Sequence, residues 1–96
     1  MNNQEPFITA EISLYPLKND YEDVIIRFIR KVADTKGIDI SVNGMSTQIC
    51  GQTSDVFKVI QMALTDEFQA NHGIVAVVKY LNKPIKPGQN IDIKSL

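Results

Sequence analysis

Two short segments carry the side chains best suited to recognising a small ligand. The first, Phe7–Tyr15, reads FITAEISLY and presents Thr9, Glu11, Ser13 and Tyr15 at every second position. An acid, a hydroxyl and a phenol in one row can pair with a cation, donate and accept hydrogen bonds, and stack on a charged ring. The second, Gly44–Gln48, reads GMSTQ. In an extended chain Ser46 and Gln48 share one face, and Thr47 and Ile49 share the other. Ile49 is the natural core residue, so Gln48 looks outward, and its amide offers both the donor and the acceptor needed to read the edge of a heteroaromatic ring. The competing account is a solvated sheet face with ordinary cross-strand pairs, which needs no ligand at all.

Other reactive side chains point elsewhere. His72 stands in Asn71-His72-Gly73 at the expected end of a helix, where an imidazole caps or meets solvent and no partner acid is evident. One His and one Cys are too few for the four-ligand zinc sets, so no metal site is expected. Cys50 falls on the outward face of its strand, with packing the better account than reactivity. Asp66-Glu67 lies near a helix end that disfavours acids; that mild cost suggests a partner or nearby cation, with solvated charge the more ordinary account.

The elements that position these residues follow from periodicity. Ile8, Ala10, Ile12 and Leu14 alternate with the polar row, which predicts a half-buried strand ended by Pro16. A helix follows, with Asn19 or Asp20 as N-cap and an apolar stripe of Tyr21, Val24, Ile25, Phe28, Ile29 and Val32. Gly37 fits the left-handed stop. Ile38–Val42 reads as a strand, Asn43-Gly44 as a two-residue hairpin turn, and Met45–Gly51 as the return strand. A second helix is expected from about Asp55 to Asn71, buried along Val56, Val59, Ile60, Ala63, Leu64 and Phe68 and stopped by Gly73. Ile74–Leu81 is a nearly continuous apolar strand of the kind that is well covered.

The order is βαββαβ, with strand, helix, glycine and strand in each half. Right-handed crossovers joined through a hairpin give an α+β, ferredoxin-like fold: a four-stranded antiparallel sheet with two helices on one face. The chain then forms a single domain over residues 1–81. Residues 82–96 make a polar C-terminal tail in which Ile91-Asp92-Ile93 can add a short edge strand. The opposite sheet face, where Glu11 and Gln48 lie, is left uncovered.

Composition bounds the partners. The chain has 96 residues, 10 Lys+Arg against 11 Asp+Glu, and 44% hydrophobic residues, which suits one globular domain. A formal charge of −1 offers no electrostatic footprint for nucleic acid or an anionic membrane. No apolar run approaches the roughly 20 residues that span a bilayer, and Met1–Pro6 lacks the order of a secretion signal. A single cysteine makes a cytoplasmic location the expectation.

TAEISLYPL near the N-terminus, followed by NGMSTQICG about a helix and a strand later, resembles the YkoF-like thiamine/hydroxymethylpyrimidine-binding family. The resemblance runs from Ile8 to about Leu81. It implies a ferredoxin-like fold, no catalysis, no cofactor, and cytoplasmic binding of thiamine or hydroxymethylpyrimidine in vitamin uptake or salvage. It also implies a homo-oligomer, dimer or tetramer, of single-copy chains. The candidate ligand-binding residues are then Glu11, Ser13, Tyr15, Met45, Ser46, Thr47 and Gln48. Glu11 can meet the thiazolium or the amino group, the hydroxyls and the amide can serve ring nitrogens, and Tyr15 or Tyr80 can stack. No glycine-rich phosphate loop is present, which favours the unphosphorylated vitamin.

Two other classes stay open on the residues alone. A structural or regulatory domain would bury the same polar face in an oligomer. A hydrolase of the acylphosphatase type would need an arginine in the loop after the first strand, where Leu17-Lys18-Asn19-Asp20 stands.

Overall fold

A computed structural model describes residues 5–85 and Lys94. Its elements are β1 (Phe7–Pro16), α1 (Tyr21–Ala33), β2 (Asp39–Val42), β3 (Thr47–Gln52), α2 (Thr53–Ala70) and β4 (Ile74–Leu81). The sheet order is β2-β3-β1-β4 and every pairing is antiparallel. This is the expected ferredoxin-like arrangement, with β1 and β3 central. The proposed edge strand at Ile91–Ile93 lies outside the described residues.

The two-residue period of β1 divides the molecule. Ile8, Ala10 and Ile12 are buried on the helix side, where they join Ile49 of β3, Phe28 and Val32 of α1, and Val56, Val59, Ile60 and Ala63 of α2 in one core. Leu14, Ile29, Ile38, Ile40, Leu64 and Val78 pack around it. Gly51 marks the tightest approach in this layer. A Cβ there would stand 2.9 Å from the Gly37 carbonyl oxygen and 2.9 Å from Ile38 Cδ1, so only glycine admits the Gly37–Ile38 loop at this point.

Several local expectations are corrected. Gly37 has the left-handed φ of 81°, but α1 ends at Ala33 with Asp34 as its cap, so the glycine turns the loop and not the helix end. Gly44 does not adopt positive φ, and no other residue of the hairpin does. The turn is therefore not the two-residue type; it spans Asn43–Ser46 and is closed by a side chain, so β3 begins at Thr47 instead of Met45. Helix α2 starts at Thr53, two residues earlier than expected. Its first turn is satisfied from a distance: Thr53 N–H and Oγ1–H donate to the Pro6 carbonyl at 3.1 and 2.8 Å, and Ser54 N–H donates to the Glu5 carboxylate at 2.7 Å. That backbone hydrogen bond holds the Glu5 carboxyl below the usual carboxylate range. Phe68 is half exposed instead of buried.

Glu67 takes the buried place on the α2 stripe, with 1% exposure, against the expectation of solvated charge. Arg27 and Lys31 reach over from α1. Arg27 Nη2–H and Nε–H donate to its two carboxylate oxygens at 3.0 and 3.3 Å, and Lys31 Nζ donates at 3.1 Å. Asn71 Nδ2 donates to the Glu67 carbonyl at 2.8 Å and touches the carboxylate at 3.3 Å. Burial pushes this carboxyl up, yet the hydrogen bonds and charges of Arg27 and Lys31 outweigh it, and its pKa lies below the ordinary value. The pair of helices is thereby tied by charge as well as by packing.

β4 is also less covered than its apolar sequence predicts. It is an edge strand, with Val75 and Val77 exposed on the outer face.

Glu67→Ala leaves two cations facing each other over a hole, and is expected to lower the unfolding free energy by about 2 kcal/mol in urea titration. Because the folded pKa of Glu67 is depressed, its contribution is complete above the unfolded value of about 4.3 and is lost as pH falls through the folded one. Glu67→Gln is accordingly expected to flatten the acid limb of the stability–pH curve.

Candidate functional site

The outer face of the sheet carries a polar row that crosses all four strands. Register places Ser41 of β2 opposite Gln48 of β3, Gln48 opposite Glu11 of β1, and Glu11 opposite Lys79 of β4. Their side chains project to one face because each lies an even number of residues from its outward neighbours. Glu11 is the centre of the row. Ser46 Oγ–H donates to Glu11 Oε2 at 3.1 Å, and Lys79 Nζ stands 3.8 Å from Oε1. Lys79 is largely exposed and Glu11 only partly so. The carboxylate is thus held on a central strand, with one oxygen hydrogen-bonded to a hydroxyl and the other beside an exposed cation.

The hairpin that delivers Ser46 is organised by Asn43. Asn43 Oδ1 accepts the backbone N–H groups of Met45 and Ser46 at 2.8 and 3.0 Å, and Asn43 N–H donates to the Ser46 carbonyl at 3.1 Å. Asparagine favours this turn because its side chain mimics a backbone acceptor.

A cavity of about 320 Å³ opens over the row. It is lined by Thr9, Glu11, Gln48, Lys79, Tyr80, Leu81 and Ile85. Apolar walls around a few placed polar groups are the usual form of a small-molecule site. A carboxylate acceptor, an amide with donor and acceptor, and a cation can together match the edge of an amino-substituted heteroaromatic ring.

The expected site residues fall in four different places. Glu11, Ser46 and Gln48 come together. Tyr15 and Met45 line a different cavity of about 490 Å³ beyond the end of β1, with Leu14, Leu17, Tyr21 and Ile25. Ser13 lies between the two, half-buried opposite Val77, and lines neither of these cavities. Thr47 is on the other side of the sheet: it pairs with Ile12 and is buried towards the helices, 5% exposed, away from Glu11. Tyr80 pairs with the fully buried Ala10, and its ring stacks on Phe57 of α2 with centroids 4.4 Å apart. Burial there pushes its phenol up. The Tyr80 ring is therefore engaged on the helix side and not available to stack over Glu11.

Thr9, Lys79, Leu81 and Ile85 were not among the expected ligand-binding residues. Lys79 left a signal, as the single charge in an apolar strand. Ile85 left none, because the chain after Leu81 reads only as a polar tail. His72 is exposed at the surface, and Cys50 is a buried free thiol. Among the described residues no group of His, Cys, Asp and Glu is placed to hold a metal ion, and no helix is long and apolar enough to cross a membrane.

A four-stranded antiparallel sheet in βαββαβ order with two helices on one face defines a ferredoxin-like α+β domain. Within that class the pattern of the YkoF-related family matches residues 7–85, and the chain belongs to that family. The fold is shared with solved structures of low sequence identity. A Streptococcus pneumoniae protein is 18% identical, with a TM-score of 0.74 over 82% of this chain and 89% of its own. A Thermotoga maritima protein with a proposed role in thiamine biosynthesis or salvage is 21% identical, with a TM-score of 0.72 over 94% of each chain. A hypothetical protein of Methanocaldococcus jannascii is 16% identical, with a TM-score of 0.71 over 93% of this chain and 90% of its own. No curated protein matches the chain significantly.

Asn43→Ala removes the acceptor that closes the hairpin. Its expected effect is a loss of about 1 kcal/mol in chemical denaturation, with faster hydrogen exchange at the Met45 and Ser46 amides.

Proposed function

We propose that the protein is a non-catalytic, cytoplasmic binder of thiamine or its hydroxymethylpyrimidine moiety, serving vitamin uptake or salvage, and that it works as a homo-oligomer without a cofactor. The observation that carries this reading is the meeting of the two sequence segments at one carboxylate: Ser46 Oγ–H on Glu11 at 3.1 Å, with Gln48 in register beside it. Membership of the YkoF-related family and the thiamine-related role proposed for the Thermotoga neighbour support it.

In this reading Glu11 accepts from the exocyclic amino group of the pyrimidine, and Gln48 pairs with a ring nitrogen. Hydrogen bonds of this kind to a charged acceptor are worth about 1.5–3 kcal/mol each. The exposed Tyr15, Val75 and Val77 on the same face suit burial against a second copy, which would close the open side of the site.

Isothermal titration calorimetry with thiamine, hydroxymethylpyrimidine and thiamine diphosphate tests the reading. Saturable binding of the first two is expected, tighter than that of the diphosphate, and reduced about tenfold or more by Glu11→Gln with oligomer mass unchanged. Absence of heat with all three ligands, from folded protein, overturns it. A loss of oligomer mass in Glu11→Gln instead assigns the polar row to an assembly interface.

A further inference from the structure

The chain does not leave the domain at the end of β4. It folds back over β1, and one side chain secures it there. Thr9 Oγ1–H donates to the Lys83 carbonyl at 3.0 Å, while the same oxygen accepts the Ile85 N–H at 2.7 Å. A hydroxyl is the smallest side-chain group able to do both. The two backbone groups flank Pro84, which has no N–H to offer and a fixed φ, so the Lys83–Ile85 bend is already restricted before it docks. Thr9 sits in the outer row directly below this bend, opposite Leu81 on one side and Cys50 on the other. Ile85 is half-buried and lines the same cavity as Glu11 and Gln48.

We propose that Thr9 is a positioning residue for the ligand site: it fastens the Lys83–Ile85 segment across the sheet so that Ile85 forms the wall of the Glu11 cavity. This rests on the reading of that cavity as the binding site. Glu11, Gln48 and Lys79 are carried by sheet strands, whereas the wall is carried by a short segment beyond the last strand. The ladder that holds the floor ends at Leu81. The Thr9 hydroxyl takes over where it stops. An apolar wall excludes water from the side of the carboxylate that a flat ligand would cover, which strengthens the hydrogen bonds made there.

Thr9→Val keeps the shape and the β-branching and removes both hydrogen bonds. Thr9→Ser keeps them. In the unliganded full-length protein, the Ile85 amide is expected to exchange about tenfold faster in Thr9→Val than in wild type, and near the wild-type rate in Thr9→Ser. In titrations with thiamine, Thr9→Val and Ile85→Ala are each expected to weaken binding about fivefold or more, and the double variant little further, because both changes remove the same wall. An unchanged Ile85 exchange rate in Thr9→Val overturns the tether. Full affinity in Thr9→Val, or losses that add in the double variant, overturn the positioning role. Failure of the wild-type protein itself to bind thiamine or hydroxymethylpyrimidine is a different result: it removes the ligand reading, and with it the positioning role, whatever the exchange rates show.

Discussion

The position of β1 between β3 and β4 sets the terms for every other element. A central strand has its backbone groups satisfied on both sides, so its side chains alone decide what each face does. One set, Ile8, Ala10 and Ile12, is buried and collects both helices. The other set, Thr9, Glu11, Ser13 and Tyr15, faces away from them. A shift of one residue in register would exchange the two sets and put a carboxylate into the core, which is why the apolar alternation fixes the polar row as firmly as it fixes the core.

The polar side chains are held by different kinds of support. Glu11 stands on a strand with partners on either side, and Ser46 reaches it from a hairpin that Asn43 keeps in shape. Thr9 holds the returning chain by a hydroxyl in place of a ladder. The cavity therefore has a floor of paired strands and a wall attached by two hydrogen bonds.

Charge is used in two opposite ways. Glu67 is buried, and it is stable there because Arg27 and Lys31 bring hydrogen bonds and positive charge to both of its oxygens. Glu11 is only partly buried, with a single hydroxyl donor and a lysine at 3.8 Å. The first arrangement locks α1 against α2. The second leaves an acceptor accessible from the cavity.

The ferredoxin-like order and the inner faces of β1 and β3 were legible in the residues, as was most of the two helical stripes, because each follows from a local period. That Glu11 and Gln48 share the outer face was legible too; their direct register was not, because β1 and β3 are separated in the chain by α1 and β2. The hairpin's form was not: Asn-Gly predicts positive φ, but here the Asn43 side chain supplies the acceptor and the turn is longer. The place of Thr47 was legible, since its parity with Ile49 puts it in the core, yet the family resemblance offered it as a ligand contact. Phe68 and Glu67 exchanged their expected exposures because Arg27 and Lys31 approach from another helix, a contact no window of sequence contains. The sequence by itself determined which residues share a face, since that depends on backbone geometry repeated every two or 3.6 residues. Only the tertiary structure decided which of those faces meet, how the tail returns to Thr9, and so where the cavity lies, because these are set by contacts between residues 35 to 76 positions apart.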